Sequence, residues 1–464
     1  MFPELQYLFD EMTSATTRIY IGFHRFTPMP YDIILGRDAS DKKKFGMKGL
    51  VRLGKGYVTM GSYTSLSNTI WMDIARTHVV LIAGKRGSGK SYTIGVLAEE
   101  LANLEGETAH NIGSLIFDTM GIFWTMKFKN EKEKELLADW ELQTRPLPVR
   151  VLAPAGRLQE YKEKNIPIDE TFAINAGELD IDDWITTFNL TMTSLEGTLI
   201  ASSVTALKEK TDRFTLKDMV YALEANAHAS KETKTVVRAL FEAAATWGIF
   251  AEQENSTRIK DMVVPGQTTV LDLSTYSATG AFNVRALVIG LVSRKLFVQR
   301  MDARKQEEMQ ALQHGVDYQT YTLEREVPLI WLFIDEAHEF LPKDGKTPAT
   351  EALVQILREG RQPGISLVLA TQQPGQIHRD VMTQSDIVIS HKVTSQPDVQ
   401  ALNEIMQSYL IETIKKKMDE LPNLKGSAII LDDNSERIYA MRMRPRFTWH
   451  GGEAPTAIKT ELSL

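Results

Sequence analysis

The chain has 464 residues, 43% of them hydrophobic and 24% charged, which suits a buried core of about three units or one large core with insertions. It contains no cysteine, which excludes disulfides, thiolate metal sites and cysteine nucleophiles. A net charge of −7 and a pI near 5.8 argue against a surface coated in basic charge for non-specific nucleic-acid binding, while leaving room for a local basic channel.

The opening MFPELQYLFDEM lacks the basic stretch and apolar run of a signal peptide. No segment approaches the roughly 18 continuous apolar residues of a membrane span, so a soluble cytoplasmic protein without membrane contact is expected. Residues 1–75 alternate short apolar runs (Tyr31 to Leu35, Tyr57 to Met60, Ile70 to Met72) with Gly, Ser, Asp and Thr clusters, the pattern of a small β-rich unit. The runs Lys42-Lys43-Lys44 and Lys415-Lys416-Lys417 have acidic neighbours and read as solvated surface.

From residue 76 the pattern becomes that of an α/β core with a mainly parallel sheet, its first part spanning 76–179. The strand predicted over His78 to Ala83 runs into Gly84-Lys85-Arg86-Gly87-Ser88-Gly89-Lys90-Ser91, a full match to G-x-x-x-x-G-K-[ST]. Glycines let backbone N–H groups turn inward around phosphates where a Cβ would obstruct them. Lys90 would place its charge on the β- and γ-phosphates, and Ser91 would bind Mg²⁺. Ile94, Leu97, Ala98 and Leu101 follow i, i+3, i+4, i+7, so a helix opens at the loop with its N-terminal dipole toward the phosphates. Residues 84–91 with the following Tyr92 are the expected ATP-binding segment. Further strands are expected at Ser114 to Phe117 and Val149 to Leu152.

Between 180 and 265 the strand signal gives way to helix-formers such as Leu199 to Lys208 and Lys231 to Trp247, read as an inserted helical subdomain. The core resumes over 266–435 with strands at Thr269 to Leu273, Leu329 to Ile334, Ile365 to Ala370 and Asp386 to Ile389. A helix is predicted from Phe282 to Met301, with Ile289, Val292 and Leu296 on one buried stripe. Residues 302–327 read as an exposed polar extension. Ala428 to Leu431 and Arg437 to Met443 form a predicted hairpin around Asp432–Ser435, and residues 436–464 a tail packing on the core or a neighbouring subunit.

The strand Leu329 to Ile334 ends in Asp335-Glu336. An apolar strand has no packing reason to finish in two carboxylates, whereas at the C-terminal edge of a parallel sheet they would face the ligand crevice. Asp335 is expected to hold the Mg²⁺ shell and Glu336 to act as general base on water. The two surface acids capping the next helix are the competing reading. The continuation Ala337-His338 spells the D-E-A-H box of two-domain helicases, but only 128 residues remain for a second motor domain, and His338 reads as a structural or coupling residue. The loop and the acids, some 245 positions apart, are expected to meet at adjoining strand tips. The strand Ile365 to Ala370 ends in Thr371-Gln372, where an amide would sense the γ-phosphate or its water. Arg358 and Arg361 are both candidates for an arginine finger reaching a neighbour's ATP.

Gly84 to Ser91, Asp335-Glu336, the stretch Arg361 to Pro374 and the tail Met443–Arg446 with His450-Gly451-Gly452 together resemble the HerA branch of the HerA/FtsK superfamily of DNA translocases. The resemblance spans roughly residues 77–452, and its 361–374 stretch is much more specific than the phosphate loop. It implies a RecA-like P-loop NTPase core, a helical insertion, a small N-terminal β-barrel and a homo-hexameric ring around double-stranded DNA. It also implies that Lys90, Ser91, Asp335, Glu336, Gln372 and Arg361 occupy functional positions, and that Asp118 matches a family acid at its strand edge.

The reading that follows is a ring-forming, ATP- and Mg²⁺-dependent double-stranded DNA translocase. It would work with a partner nuclease or other effector, in DNA end processing or antiphage defence. The alternative is an ATP-regulated hexameric scaffold that activates a nuclease or sirtuin-like enzyme without processive movement. Double-stranded DNA enters through the resemblance and not through charge.

Overall fold

The computed structural model describes residues 31–60, 63–252, 256–276, 283–314, 327–393, 395–405 and 416–452. Continuous apolar runs mark strands covered on both faces, and such strands dominate the architecture. Thirteen strands among the described residues form one sheet: β1 (Ile33–Leu35), β2 (Leu50–Met60), β3 (Tyr63–Asp73), β4 (Val79–Ala83), β5 (Ile112–Asp118), β6 (Arg150–Pro154), β7 (Glu170–Phe172), β8 (Thr268–Asp272), β9 (Leu329–Ile334), β10 (Ile365–Thr371), β11 (Ile387–Ser390), β12 (Ser427–Asp432) and β13 (Arg437–Met443). Their order is β1-β3-β2-β13-β12-β11-β4-β10-β9-β5-β8-β6-β7. From β11 to β7 all neighbours pair parallel, whereas β2, β3, β12 and β13 pair antiparallel at the other side.

Alternate residues of the parallel strands serve opposite layers, as a period of two requires. Val80, Ile82, Phe333, Val368 and Ala370 pack with Ile94, Leu97, Ala98 and Leu101 of the helix Lys90–Ala102. Leu81, Ala83, Leu332, Ile334, Leu367 and Leu369 face the other layer, built from the helix Val284–His314, the helix Thr350–Glu359 and the insertion. The insertion contributes Ile181–Thr187, Leu195–Lys208, Leu216–Ala225 and Lys231–Ala245, with Trp184 stacked between Phe188 and Phe250. Among the described residues, no helix is long and apolar enough to cross a membrane.

Several expectations need correction. The long helix does not stop at Met301 but runs to His314, because Arg300 is buried against the Pro363 and Val327 carbonyls and Glu307, anchoring the next turns. It is buried all round at its start rather than on one stripe, with Ala286, Leu287, Val288, Ile289, Leu291 and Val292 each at most 1% exposed, since sheet and helices enclose it. Phe282 and residues 315–326 of the expected extension lie outside the described residues. In the N-terminal unit, the three short runs belong to two eleven-residue strands and the edge strand β1. β2 pairs with β13, so the described part of residues 1–75 continues the core sheet; residues 1–30 lie outside the described residues. The tail boundary at 436 divides a hairpin, because β13 pairs with both β12 and β2; residues 453–464 also lie outside. Of the basic runs, Lys42, Lys43 and Lys44 are exposed on the helix Ala39–Phe45, and Lys415 lies outside.

The N-terminal edge of the parallel strands is closed by charge. His78, just before β4, places Nδ1 2.6 Å from Asp386 and Nε2 3.2 Å from Asp73, and Asp73 also receives the Arg37 guanidinium at 2.6 Å. Burial alone would lower the His78 pKa, but the charges and hydrogen bonds of Asp386 and Asp73 outweigh it and raise it to about 9. The folded value lies above the unfolded value of 6.5, so this stabilisation is complete below about pH 6.5 and is lost as pH rises through 9. Urea denaturation should therefore show the parent losing on the order of 3 kcal/mol more than His78→Gln between pH 6.5 and 9.5. Parallel pH profiles for the two proteins would contradict the assignment.

Candidate functional site

Residues that end apolar strands at the C-terminal edge of a parallel sheet have nowhere to go but the crevice above it. Here β4, β10 and β9 lie side by side, so their following residues converge. β10 stands between the other two, so the phosphate-type loop and the acid pair do not sit on adjoining strands as expected. Thr371 and Gln372 separate them.

The loop of residues 84–89 turns into the helix Lys90–Ala102 with Gly89 at φ 113°, a conformation that a side chain strongly disfavours. A Cβ on Gly84 would collide with Ser88 Oγ and lie 2.8 Å from His391 Cβ, so this position requires glycine for close approach. Lys85, Arg86 and Gly87 are exposed, and Ser88 Oγ is buried without a hydrogen-bond partner. Lys90 is buried, and its Nζ reaches the Lys85 carbonyl at 3.3 Å. Burial lowers its pKa, against the pull of Glu336 and Asp335.

Ser91 Oγ donates to Asp335 Oδ2 at 2.6 Å, joining residues 244 positions apart. Asp335 also accepts the Glu336 N–H at 2.9 Å. Burial raises the Asp335 pKa although the Ser91 hydrogen bond opposes it. Glu336 sits at φ 51°, ψ 44°, a left-handed conformation that is strained for a non-glycine residue and aims its carboxylate back across the site. Burial and the Asp335 charge raise the Glu336 pKa to about 7, while the Lys90 charge and the neighbouring Gln372 amide pull the other way. Glu336 Oε2 is buried without a hydrogen-bond partner and lies 3.6 Å from His338 Nδ1, which in turn meets Thr371 Oγ1 at 3.2 Å. Lys90, Ser91, Asp335, Glu336 and Gln372 are thus brought together.

Other expected residues are placed elsewhere. The Tyr92 hydroxyl turns away from the loop, donating to Glu133 and accepting the Arg446 N–H, both at 2.7 Å. Asp118 is buried at the tip of β5, where its carboxylate accepts four backbone N–H groups from residues 120–123. It faces Asp272 in register, and burial with that like charge raises its pKa to about 7. Arg361 precedes β10 and is exposed at the opposite edge of the sheet, where its carbonyl meets Thr77 Oγ1. It cannot join this chain's own cluster. Arg358 is engaged by Asp380 at 2.7 Å.

Two features escaped the sequence. His391, one residue past β11, lies fully buried against the loop; its signal was a polar residue closing an apolar strand, the same one that marked Asp335. Glu99, on the loop's helix, is fully buried and receives Arg444, Arg446, the Phe447 and Thr448 N–H groups and the Thr448 hydroxyl, an arrangement no local pattern announces. Burial would raise its pKa, but the Arg446 and Arg444 charges hold it down.

The unpartnered Ser88 Oγ and Glu336 Oε2, the single long bond of Lys90 and the Cβ-free cradle at Gly84 suit a triphosphate and a hard cation.

Residues 58–294 match the family described as helicase HerA, central domain. The chain is 27% identical over 184 residues to the DNA double-strand break repair helicase HerA of Pyrococcus furiosus, covering 36% of this chain and 31% of that one. It is 38% identical over 69 residues to a probable DNA double-strand break repair helicase HerA of Methanocaldococcus jannaschii, 15% of this chain and 14% of that one. The aligned part thus spans less than a third of either relative's length. Among solved structures, VirB4 of Thermoanaerobacter pseudethanolicus superposes with a TM-score of 0.51 at 14% identity, covering 85% of this chain and 96% of that one, a likeness of fold.

Removing one partner of a buried charge network costs about 3–5 kcal/mol. Glu99→Gln should lose stability of that order in urea denaturation, since Arg444 and Arg446 keep their charges inside. A loss below about 1 kcal/mol would show that the network does not hold the tail to the helix.

Proposed function

The chain belongs to the family of the helicase HerA central domain, and on that premise we propose that it is the ATP-hydrolysing subunit of a ring-forming motor on double-stranded DNA. The observation that carries the reading is the 2.6 Å bond between Ser91 and Asp335, with Glu336 and Gln372 beside it and the Lys90 charge acting on both acids.

The residues divide the work. Backbone N–H groups of 84–91 and the Lys90 ammonium bind and orient the phosphates. Ser91 and Asp335 would hold Mg²⁺, which when bound neutralises phosphate charge. Glu336, raised toward neutral pH, accepts the proton of the attacking water, and Gln372 orients that water. Arg361, at the far sheet edge, serves the site of a neighbouring subunit in a homo-hexamer, which matches its exposure and its distance from its own cluster. Movement on DNA with a nuclease or other effector, in end processing or antiphage defence, extends the reading from the name of the helicase relatives. The net charge of −7 supports a second reading, an ATP-regulated scaffold that activates an effector enzyme such as a nuclease or a sirtuin-like protein. DNA-stimulated hydrolysis with salt-sensitive binding supports the motor; hydrolysis indifferent to duplex DNA supports the scaffold.

Glu336→Gln should bind ATP like the parent and lose turnover by at least about 100-fold, because the water-activating base is gone. Parent-like turnover would remove the mechanism. Arg361→Ala should bind ATP and lose roughly 1,000-fold in turnover. Mixing it with Lys90→Ala subunits should restore activity, since each supplies what the other lacks across the interface. Failure to complement, with both variants assembled, would rule out action in trans.

A further inference from the structure

His391 is fully buried beneath the loop of residues 84–89. Its backbone N–H donates to Ala83 O at 2.8 Å, and Lys392 O accepts the Lys85 N–H at 3.3 Å, so the ladder between β4 and β11 extends into the loop. The side chain borders both ends of that loop: its Cβ lies 2.8 Å from where a Cβ of Gly84 would stand, and its ring Cε1 3.5 Å from where a Cβ of Gly89 would. Nδ1 lies 3.1 Å from the Ser427 carbonyl and Nε2 2.8 Å from Thr93 Oγ1.

These partners settle the tautomer. A carbonyl can only accept, so Nδ1 carries the proton and Nε2 accepts from the Thr93 hydroxyl. A helical threonine ordinarily bonds the carbonyl four residues back, which here is Gly89 O. Drawing the hydroxyl to His391 leaves that carbonyl to the Thr93 N–H alone, at 2.9 Å, and keeps the Gly89 peptide in the orientation that its φ of 113° sets.

We propose that His391 is a positioning residue for triphosphate binding: a neutral imidazole strut, acting through Thr93 and the two glycines, that presets the loop's N–H groups for a nucleoside triphosphate. The inference rests on the nucleotide-binding reading above. Burial, with the Lys90 charge adding to it, pushes the imidazole down to about 4, so the strut keeps one protonation state at neutral pH.

The test is calorimetric titration of the full chain with the magnesium complex of adenylyl imidodiphosphate, alongside thermal unfolding of each variant. His391→Phe keeps a flat ring, in a somewhat larger side chain, and loses both bonds; it should bind roughly tenfold more weakly, the worth of the one buried hydrogen bond that reaches the loop through Thr93. His391→Gln, whose amide offers a donor and an acceptor, should recover most of the affinity. Thr93→Val should match His391→Phe, and the double variant should be no weaker than either alone. Thr93→Val also decides the matter if His391→Phe does not fold. Parent affinity in a folded Thr93→Val, additive losses in the double variant, or a lowered unfolding temperature with unchanged affinity would each overturn the proposal. A parent that does not bind the analogue would overturn the nucleotide reading instead, as would binding unaffected by Lys90→Ala.

Discussion

The hydrogen bond from Ser91 to Asp335 spans the width of β10, tying the helix that follows β4 to the tip of β9. It can form only if β4 lies parallel and in one order with β9 and β10, which follow it by more than 200 residues in the chain, so the whole sheet stands behind it. Thr371 pairs with Ala83 and Leu369 with Ile334, so β4 and β10 end level and β9 ends two residues short, which leaves room for Asp335 and Glu336 at the same edge. A slip of one residue would turn Asp335 to the other face and leave its carboxylate buried among aliphatic side chains, at a cost of several kcal/mol. The apolar strands and the polar tips therefore select the same register for independent reasons.

The two edges of the parallel sheet treat carboxylates in opposite ways. At the N-terminal edge, Asp73 is saturated by Arg37 and His78, and its pKa is held low despite burial. At the C-terminal edge, Asp335, Glu336, Asp118 and Asp272 are all raised, because burial and like charges dominate there. Paired charge on one edge contributes to stability. Unpaired charge on the other lowers it, and persists where a polyanion with its cation would complete the set.

Continuous apolar runs made the parallel strands legible almost to the residue, and the glycine-rich loop and Asp335-Glu336 could be read because each breaks a packing pattern abruptly. The three-residue edge strand β7 escaped, since Glu170–Phe172 is too short to carry a period. The long helix was cut short because its second half is polar outside, and the anchor that continues it is a contact from Arg300 to a distant loop. Glu99 was invisible for the same reason, and the polar residue that His391 places after an apolar strand went unread: a buried polar group gains meaning only when its partner, from another part of the chain, is known. Arg361 was found by its stretch, but its edge of the sheet follows from preceding β10 rather than following it.

The helix Lys90–Ala102 is held from several sides, and this constrains where change can occur. Glu99 binds it to Arg444 and Arg446 on one flank, Tyr92 to Glu133 and the Arg446 backbone near its start, and Thr93 to His391 beneath. Its inner face packs on β4 and β10. A phosphate cradle fixed in this way gives up little order on binding, so it can contribute affinity but not much movement. Among the described residues lining the cradle, Glu336 and Ser88 each keep a buried oxygen without a hydrogen-bond partner, and Glu336 occupies a strained backbone conformation as well. On the proposed reading, a response to the γ-phosphate would fall to the β9 and β10 tips, where His338 lies between Glu336 and Thr371, and from there to the helix Thr350–Glu359 that ends just before Arg361. The same strand β10 is followed by Gln372 at one end and preceded by Arg361 at the other, so on the proposed reading it would connect one subunit's nucleotide state to the edge it offers a neighbour.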